Sequence, residues 1–172
     1  MDASPSTGRP RSLRRQPASR RPWHPTPRTP LPASLTDDEI VQLVNEGPRA
    51  GQRRNARVER NLVTVWRTLY RLARADRSGH IATSRQQLVK ALCGPDGIPG
   101  WADYRDPEQN ELHHGRSLTR WLDLLVAAGL VESAGGVRRA DGSWWRTEVV
   151  LRDRARIAAA FPGSSIGRAF GC

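Results

Sequence analysis

The segment from Ser117 to Val131 constrains the fold of this chain more than any other part of its sequence. Its large apolar residues recur three or four positions apart, which is the spacing of one helix face: Leu118, Trp121, Leu122 and Leu125. The polar residues fall on the opposite side: Arg116, Ser117, Thr119, Arg120 and Asp123. Gly129 follows, and glycine commonly ends a helix because it adopts a left-handed backbone at little cost. The pattern predicts a short amphipathic helix that leads into a strand.

Two β-strands are predicted directly after this helix. The first spans Leu130 to Ala134 and the second spans Ser143 to Leu151. Asp141-Gly142 lies between them, and this dipeptide is among the strongest signals for a β-hairpin turn. Arg138 and Arg139 precede the turn. The sequence therefore predicts a helix, a strand, a basic turn and a second strand.

This order of elements resembles the winged helix-turn-helix family of DNA-binding proteins, in which the hairpin is the wing. The resemblance covers about residues 61–152 and rests on the run from Leu125 to Val131 followed by the basic hairpin. It implies a mainly α fold with a small antiparallel β-hairpin. It also implies a recognition helix whose first turns read base edges in the major groove.

The resemblance assigns DNA contacts to the recognition helix and the wing. Four residues of the helix would enter the major groove: Arg116, Ser117, Thr119 and Arg120. Arg120 is the candidate for a bidentate bond to guanine. Arg138 and Arg139 would contact phosphate or the minor groove, and Arg146 lies on the second wing strand. Asp123 would be unfavourable near phosphate unless it pairs with Arg120 or accepts a hydrogen bond from cytosine.

On the second strand, successive side chains point to opposite faces. We expect one set to face the core: Trp145, Thr147, Val149 and Leu151. The elements upstream also follow the family order. Residues 51–76 form a first helix, His80 to Ala82 form a short strand, and Thr83 or Ser84 caps a second helix that ends at Gly94.

Residues 94–114 depart from the family, whose members place only a short turn between the second helix and the recognition helix. Asp106 with Pro107 opens a helix, since this pair suits the cap and the first helical position. That helix either runs into the recognition helix or breaks at Gly115. Trp101 and Tyr104 are expected to anchor this insertion or to contact a partner protein.

Both ends of the chain are expected to lie outside the DNA-binding domain. Residues 1–35 are rich in proline and arginine, and so predict a disordered basic arm. That arm either adds non-specific DNA affinity or results from a start codon assigned too far upstream. Residues 36–60 contain a capping box, Thr36 with Glu39, a short amphipathic helix and a basic linker. This helix packs on the main domain or makes a dimer contact.

Residues 153–172 are predicted to form a helix that ends at Pro162, followed by a disordered tail. The sequence of the tail can be back-translated into part of a bacterial transfer RNA gene. The hypothesis is that the tail arises from reading into such a gene, so that Cys172 has no designed role. Transfer RNA genes are common integration sites, which mildly favours an origin in a mobile element.

The composition limits the class of partner. The formal net charge of +11 creates a positive field that favours polyanions such as DNA. No apolar run approaches the roughly 20 residues that a membrane helix requires. Cys93 and Cys172 are the only cysteines among 172 residues, so we expect no disulfide framework and a cytoplasmic location.

No motif in the sequence indicates catalysis. A phosphate-binding loop and a nucleophile elbow are both missing, and His113-His114 has no companions at metal-binding spacing. We therefore expect no enzyme activity, no cofactor and no metal. The sequence favours a sequence-specific double-stranded DNA-binding protein, which regulates transcription. Two alternative functions stay open: a replication initiator or excision factor of a plasmid, phage or integrative element, and a winged-helix protein-interaction module. Assembly as a homodimer also stays open.

Overall fold

A computed structural model of the protein describes residues 29–46, 55–102, 104–138 and 144–170, with only the backbone described for 107, 133–138 and 144–146. The described helices and strands follow one another in this order: α1 (Asp37–Glu46), α2 (Ala56–Ala75), β1 (His80–Thr83), α3 (Arg85–Cys93), α4 (Pro107–Ala127), β2 (Val131–Arg138), β3 (Trp144–Leu151), α5 (Arg154–Ala160) and α6 (Ser165–Phe170). The architecture is mainly helical with a small antiparallel sheet, as the sequence predicts at this level.

Local capping signals determine where five of the described helices begin. The predicted capping box of α1 is confirmed: the Thr36 amide donates to Glu39 Oε2 at 2.8 Å, and the Glu39 amide donates to Thr36 Oγ1 at 3.3 Å. Of the two predicted caps of α3, Ser84 is the one used. The side chains that cap the other three helices are Asn55, Asp106 and Asp153. Each accepts a backbone N–H that the helix itself leaves unpaired.

The three strands form one sheet in the order β1-β3-β2, with antiparallel pairing on both sides of β3. Val149 pairs with Ile81 of β1, and Leu151 pairs with Val131 of β2. The expected inward face of β3 is confirmed where side chains are described, because Thr147, Val149 and Leu151 are buried. The side chain of Trp145 and the turn at Asp141-Gly142 lie outside the described residues.

The helices bury one continuous core against this sheet. Ile40 and Leu43 of α1 are fully buried, as are Leu118 and Leu125 of α4. Burial of such a side chain contributes about 1.5–3 kcal/mol, so each helix is fixed mainly by its apolar face. Of the two uses predicted for α1, packing on the main domain is therefore the one observed. None of the described helices is both long and apolar enough to cross a membrane.

The recognition segment is longer than the sequence predicts. α4 runs without a break from Pro107 through Gly115 to Ala127, so the first of the two alternatives for Gly115 is observed. Arg116 and Arg120 consequently lie in the middle of the helix, which corrects the expectation that they occupy its first turns. At the other end, Gly129 has a φ of 69°, as its predicted role in ending the helix requires.

The C-terminal region also differs from expectation. α5 ends before Pro162 as predicted, but residues 165–170 form α6 where a disordered tail was expected. Ile166 and Phe170 are buried, so their apolar surface accounts for the order of this helix. Gly167 permits the packing, because a Cβ there would lie 2.3 Å from the carbonyl oxygen of Phe161. The arm expected over residues 1–35 is described from residue 29, and there the expectation of disorder is wrong: Leu35 is buried, and the Thr29 carbonyl oxygen accepts from the Gly79 amide at 2.8 Å. Residues 1–28 and Cys172 lie outside the described residues.

The boundary predicted at residue 61 falls within α2, which begins at Ala56. The expected boundary between a linker up to residue 60 and a domain from residue 61 therefore does not coincide with the start of a helix. α1 on one side and α5 with α6 on the other contribute buried side chains to the same hydrophobic cluster as residues 61–152.

Candidate functional site

An open groove of about 860 Å³ lies between α4 and the first turn of α3. Three of the four residues predicted to read DNA from α4 border it: Arg116, Thr119 and Arg120. The fourth, Ser117, is half-buried and does not border it. The groove therefore brings together most of the predicted helix residues.

The apolar face of α4 determines the direction of the two arginines. Leu118 and Leu125 are fully buried and Trp121 and Leu122 nearly so, which holds the opposite face toward solvent. Arg116 and Arg120 are both exposed there, and residues four apart on a helix are neighbours on its surface. Neither makes a hydrogen bond or an ion pair with any described residue. Their guanidinium groups are thus available to an external ligand.

Thr119 is engaged within the protein. Its hydroxyl donates to the carbonyl oxygen of Gly115 at 2.9 Å and accepts a close hydrogen bond from the Nη2 group of Arg85. Arg85 Nη2 also lies 3.4 Å from the Gly115 carbonyl oxygen. Arg85, the first residue of α3, therefore joins α3 to the middle of α4. Arg85 was not among the residues predicted from the sequence, where its only signal was an arginine directly after a helix cap.

Carboxylates lie on both sides of the arginine pair. Glu108 and Glu111 border the groove toward the start of α4, and Asp123 borders it toward the end. Asp123 forms no ion pair with Arg120, so the condition under which it would tolerate nearby phosphate is not met within the protein. An anion approaching the groove is attracted at its middle and repelled at its ends.

The side chains predicted to bind DNA from the wing are not described by the structure. The backbone of Arg138 pairs with Trp144 at the end of β2. The side chains of Arg138 and Arg146, and the whole of Arg139, lie outside the described residues. The predicted roles of these three arginines therefore stay predictions.

A buried amide attaches the insertion to α4. Asn110 is 1% exposed. Its Oδ1 accepts from the Tyr104 amide at 2.9 Å, and its Nδ2 donates to the Tyr104 carbonyl oxygen at 2.8 Å. The thiol of Cys93 lies 3.7 Å from the same Oδ1. Asn110 thus satisfies both backbone groups of a loop residue that the helix alone could not bind.

Aromatic stacking adds a second attachment. The ring of Trp101 stacks on His114 at 4.1 Å and on Trp121 at 5.2 Å between centroids. Tyr104 stacks on His113 at 4.9 Å. Of the two roles expected for Trp101, anchoring of the insertion is therefore observed. Within the described ranges, no group of three metal-binding side chains comes together. His113 and His114 therefore have no third described side chain with which to hold a metal ion.

The imidazole of His114 lies in a partly buried environment that changes its pKa. Burial lowers the pKa of its imidazole, a hydrogen bond to the Ala102 carbonyl raises it, and the neighbouring His113 lowers it, with a net decrease from 6.5. Its Nε2 is buried and has no hydrogen-bond partner. The neutral ring is consequently the form that suits the stack on Trp101.

Comparisons of this chain with protein-family models, with curated proteins and with solved structures found no match. The interpretation of the groove therefore depends on its own residues.

Proposed function

We propose that this protein binds double-stranded DNA in the cytoplasm as a winged-helix transcriptional regulator, with the arginine pair of α4 in the major groove. The observation that carries the proposal is that Arg116 and Arg120 are exposed and unpaired on one face of a helix whose opposite face lies in the core. The order α2, β1, α3, α4, β2 and β3 supports it, since it is the order that the family resemblance implies.

The size of α4 is compatible with this role. An α-helix with its side chains is about 10–12 Å wide, and the major groove of B-DNA is about 12 Å wide. A guanidinium group presents two parallel donors that match the O6 and N7 acceptors of guanine. We assign base recognition to Arg120 and a base or phosphate contact to Arg116. Arg85 acts as a positioning residue, because it holds Thr119 one position before Arg120.

The length of α4 alters how it approaches DNA. The nine residues that precede Arg116 in the helix extend it by about 14 Å at 1.5 Å per residue. This extension carries Glu108 and Glu111, whose carboxylates would repel phosphate. We therefore infer that α4 reads DNA with its middle, and that its first two turns project out of the major groove.

Recovery of genomic DNA fragments tests the proposal. The full chain is immobilised, incubated with sheared genomic DNA at physiological salt, and the retained fragments are sequenced. One enriched sequence next to its own gene supports an autoregulating repressor, and enrichment at the origin or end of an integrated element supports replication or excision. Uniform recovery supports non-specific binding only, and no recovery contradicts DNA binding.

A protein-interaction module is the second candidate function. The observation that favours it is the exposure of two apolar side chains: Leu112, which borders the groove, is 75% exposed, and Tyr104, which stacks on His113, is 38% exposed. Tyrosine and arginine are frequent in the energetic centres of protein interfaces. This candidate predicts that the Arg116→Ala/Arg120→Ala variant keeps its cellular function, whereas DNA binding predicts that the function is lost.

A further inference from the structure

Leu112 is the most exposed large hydrophobic residue of the described chain, at 75%. It lies on the second turn of α4, where Glu108 precedes it by four residues and Arg116 follows it by four. All three side chains are exposed and share one stripe of the helix. Neither charged side chain has a hydrogen bond or ion pair with any described group.

An isolated exposed leucine is common on protein surfaces and indicates nothing by itself. The arrangement of charge around Leu112 is what distinguishes this stripe. When two copies of a helix pack antiparallel about a two-fold axis, the residue four positions before the axis faces the residue four positions after it. With the axis at Leu112, Glu108 of each copy faces Arg116 of the other, and Leu112 faces itself. The stripe is therefore complementary to its own copy.

We propose that α4 is a self-association surface, on which a second copy of this chain docks antiparallel across Leu112 with reciprocal Glu108–Arg116 pairs. The acidic end of the stripe, which the proposed function leaves outside the major groove, suits this occupant, since Glu108 attracts Arg116 of the partner copy. α1 was expected either to pack on the main domain or to make a dimer contact, and it offers no apolar centre for such an interface because Ile40 and Leu43 are fully buried in the core.

The interface is small. A few turns of one helix bury less than the roughly 1,200 Å² that marks stable complexes, which places this contact in the weak and transient class. We expect a dissociation constant weaker than about 1 µM. The second copy covers Arg116, so self-association and DNA binding compete for the same face of α4. The two kinds of binding are nevertheless measured in separate experiments.

Site-directed cross-linking tests the proposal in the absence of DNA. In the full chain with Cys172→Ser, Leu112→Cys is treated with a short bis-maleimide, and covalent dimer is followed on denaturing gels. A residue on the two-fold axis lies opposite itself, so cross-linking is expected to be at least about tenfold faster than for Val126→Cys, with tenfold corresponding to 1.4 kcal/mol. Val126 lies on the same helix and is 38% exposed. Equal rates at the two positions would overturn the proposal.

Charge reversal distinguishes the proposed antiparallel pairing from non-specific hydrophobic association through the exposed leucine. In the Leu112→Cys background, Glu108→Arg and Arg116→Glu each place like charges opposite one another and slow cross-linking about tenfold. Together they exchange the two charges and restore the rate. Failure of the double variant to restore cross-linking, with folding verified by circular dichroism, contradicts the antiparallel pairing. None of these outcomes depends on whether the protein binds DNA.

Discussion

Arg116 and Arg120 illustrate how buried residues determine the direction of exposed ones. The sequence provided no reason to expect that Arg120 would lack an ion-pair partner among the described residues, because Asp123 follows it by three positions on the helix. The apolar face of α4 fixes the rotation of the helix, and the described ion pairs form elsewhere, for example between Arg67 and Asp37 at 2.8 Å. The two guanidinium groups therefore keep their donors for a ligand.

Replacing Arg120 with alanine is expected to reduce sequence preference. Loss of a bidentate contact to a base costs about 1–3 kcal/mol on the preferred site and little on random DNA. Arg138→Ala, by contrast, is expected to weaken binding to all sequences alike, as for a phosphate contact. Competition of labelled preferred DNA against random DNA measures both effects, with the exposed Arg74→Ala on α2 as control. Equal effects of Arg120→Ala on both kinds of DNA would remove its assigned role.

Protonation of His114 is expected to weaken the folded state. Burial is the largest cause of its lowered pKa, so the unfolded chain binds a proton more readily than the folded chain. Stability is therefore complete above the unfolded value of about 6.5 and decreases as the pH falls from there through the lower folded pKa. Urea unfolding at pH 7.5 and 5.5 measures this decrease.

Two variants identify the source of that dependence. His114→Gln removes the ionisable ring and is expected to reduce the difference between pH 7.5 and 5.5. His113→Gln, at the adjacent exposed position, is expected to leave most of it. If both variants retain the full pH dependence of the parent chain, His114 does not cause it.

At the scale of elements, local signals were readable and long-range contacts were not. Capping by Thr36 and Ser84 depends on residues three apart, which a sequence displays directly. The continuity of α4 through Gly115 could not be predicted from such local signals, because glycine inside a helix costs about 0.5–1 kcal/mol and favours a break. Stacking of Trp101 on both His114 and Trp121 holds the two halves of α4 together across that glycine. The pairing of Trp101 with these residues depends on the path of the insertion, which the sequence does not reveal.

Some features of the candidate site could likewise be predicted from local sequence patterns, and others could not. The amphipathic pattern correctly identified the face of α4 that carries Arg116 and Arg120. The bond between Arg85 and Thr119 joins residues 34 positions apart, so no periodic pattern indicates it. The shift of the arginine pair from the first turns to the middle of α4 follows from the same unpredicted continuity of the helix.

The attachment of the insertion to α4 is expected to depend on Asn110. Asn110→Ala removes two part-buried hydrogen bonds to the backbone of Tyr104, each worth about 0.5–1.5 kcal/mol. We expect the free energy of unfolding in urea to decrease by about 1–3 kcal/mol. The neighbouring Gln109→Ala is the control, since Gln109 is exposed and surface substitutions stay within about 0.5 kcal/mol. A loss no larger than that of Gln109→Ala would contradict the role of Asn110.

At the scale of the whole molecule, the helices outside the predicted domain are joined to each other. Arg154 of α5 donates to both carboxylate oxygens of Glu39 in α1, at 2.6 and 3.0 Å. Burial raises the pKa of Glu39, but the hydrogen bonds from Arg154 and from the Thr36 amide outweigh it and keep this pKa below 4.5. The Arg154 guanidinium also lies 5.3 Å above the ring of Phe170. The two ends of the described chain therefore stabilise one another.

This arrangement predicts that the C-terminal segment contributes to stability. Phe170→Ala removes a buried ring and its contact with Arg154, and is expected to lower the free energy of unfolding by about 2–4 kcal/mol. Ala169→Ser changes the adjacent exposed residue and is expected to have little effect. Thermal and urea unfolding compare the two variants. An unchanged midpoint for Phe170→Ala would mean that α6 does not stabilise the fold, as the read-through hypothesis for the tail implies.

If the arginine pair of α4 binds DNA phosphates and bases, the DNA affinity depends on salt through these two residues. Fluorescence anisotropy of a labelled duplex is measured between 50 and 200 mM salt for the parent chain, Arg116→Ala/Arg120→Ala and Arg57→Ala/Arg60→Ala. The last pair removes the same charge from α2, where both arginines are exposed and border a different hollow.

If about five phosphates are neutralised, the affinity of the parent chain falls about 10²–10³-fold over this range. The α4 variant is expected to bind more weakly at every salt concentration and to show a shallower slope, whereas the α2 variant keeps the slope of the parent chain. A flat salt response of the parent chain, or equal losses in the two variants, would contradict the claim that α4 is the DNA-binding surface.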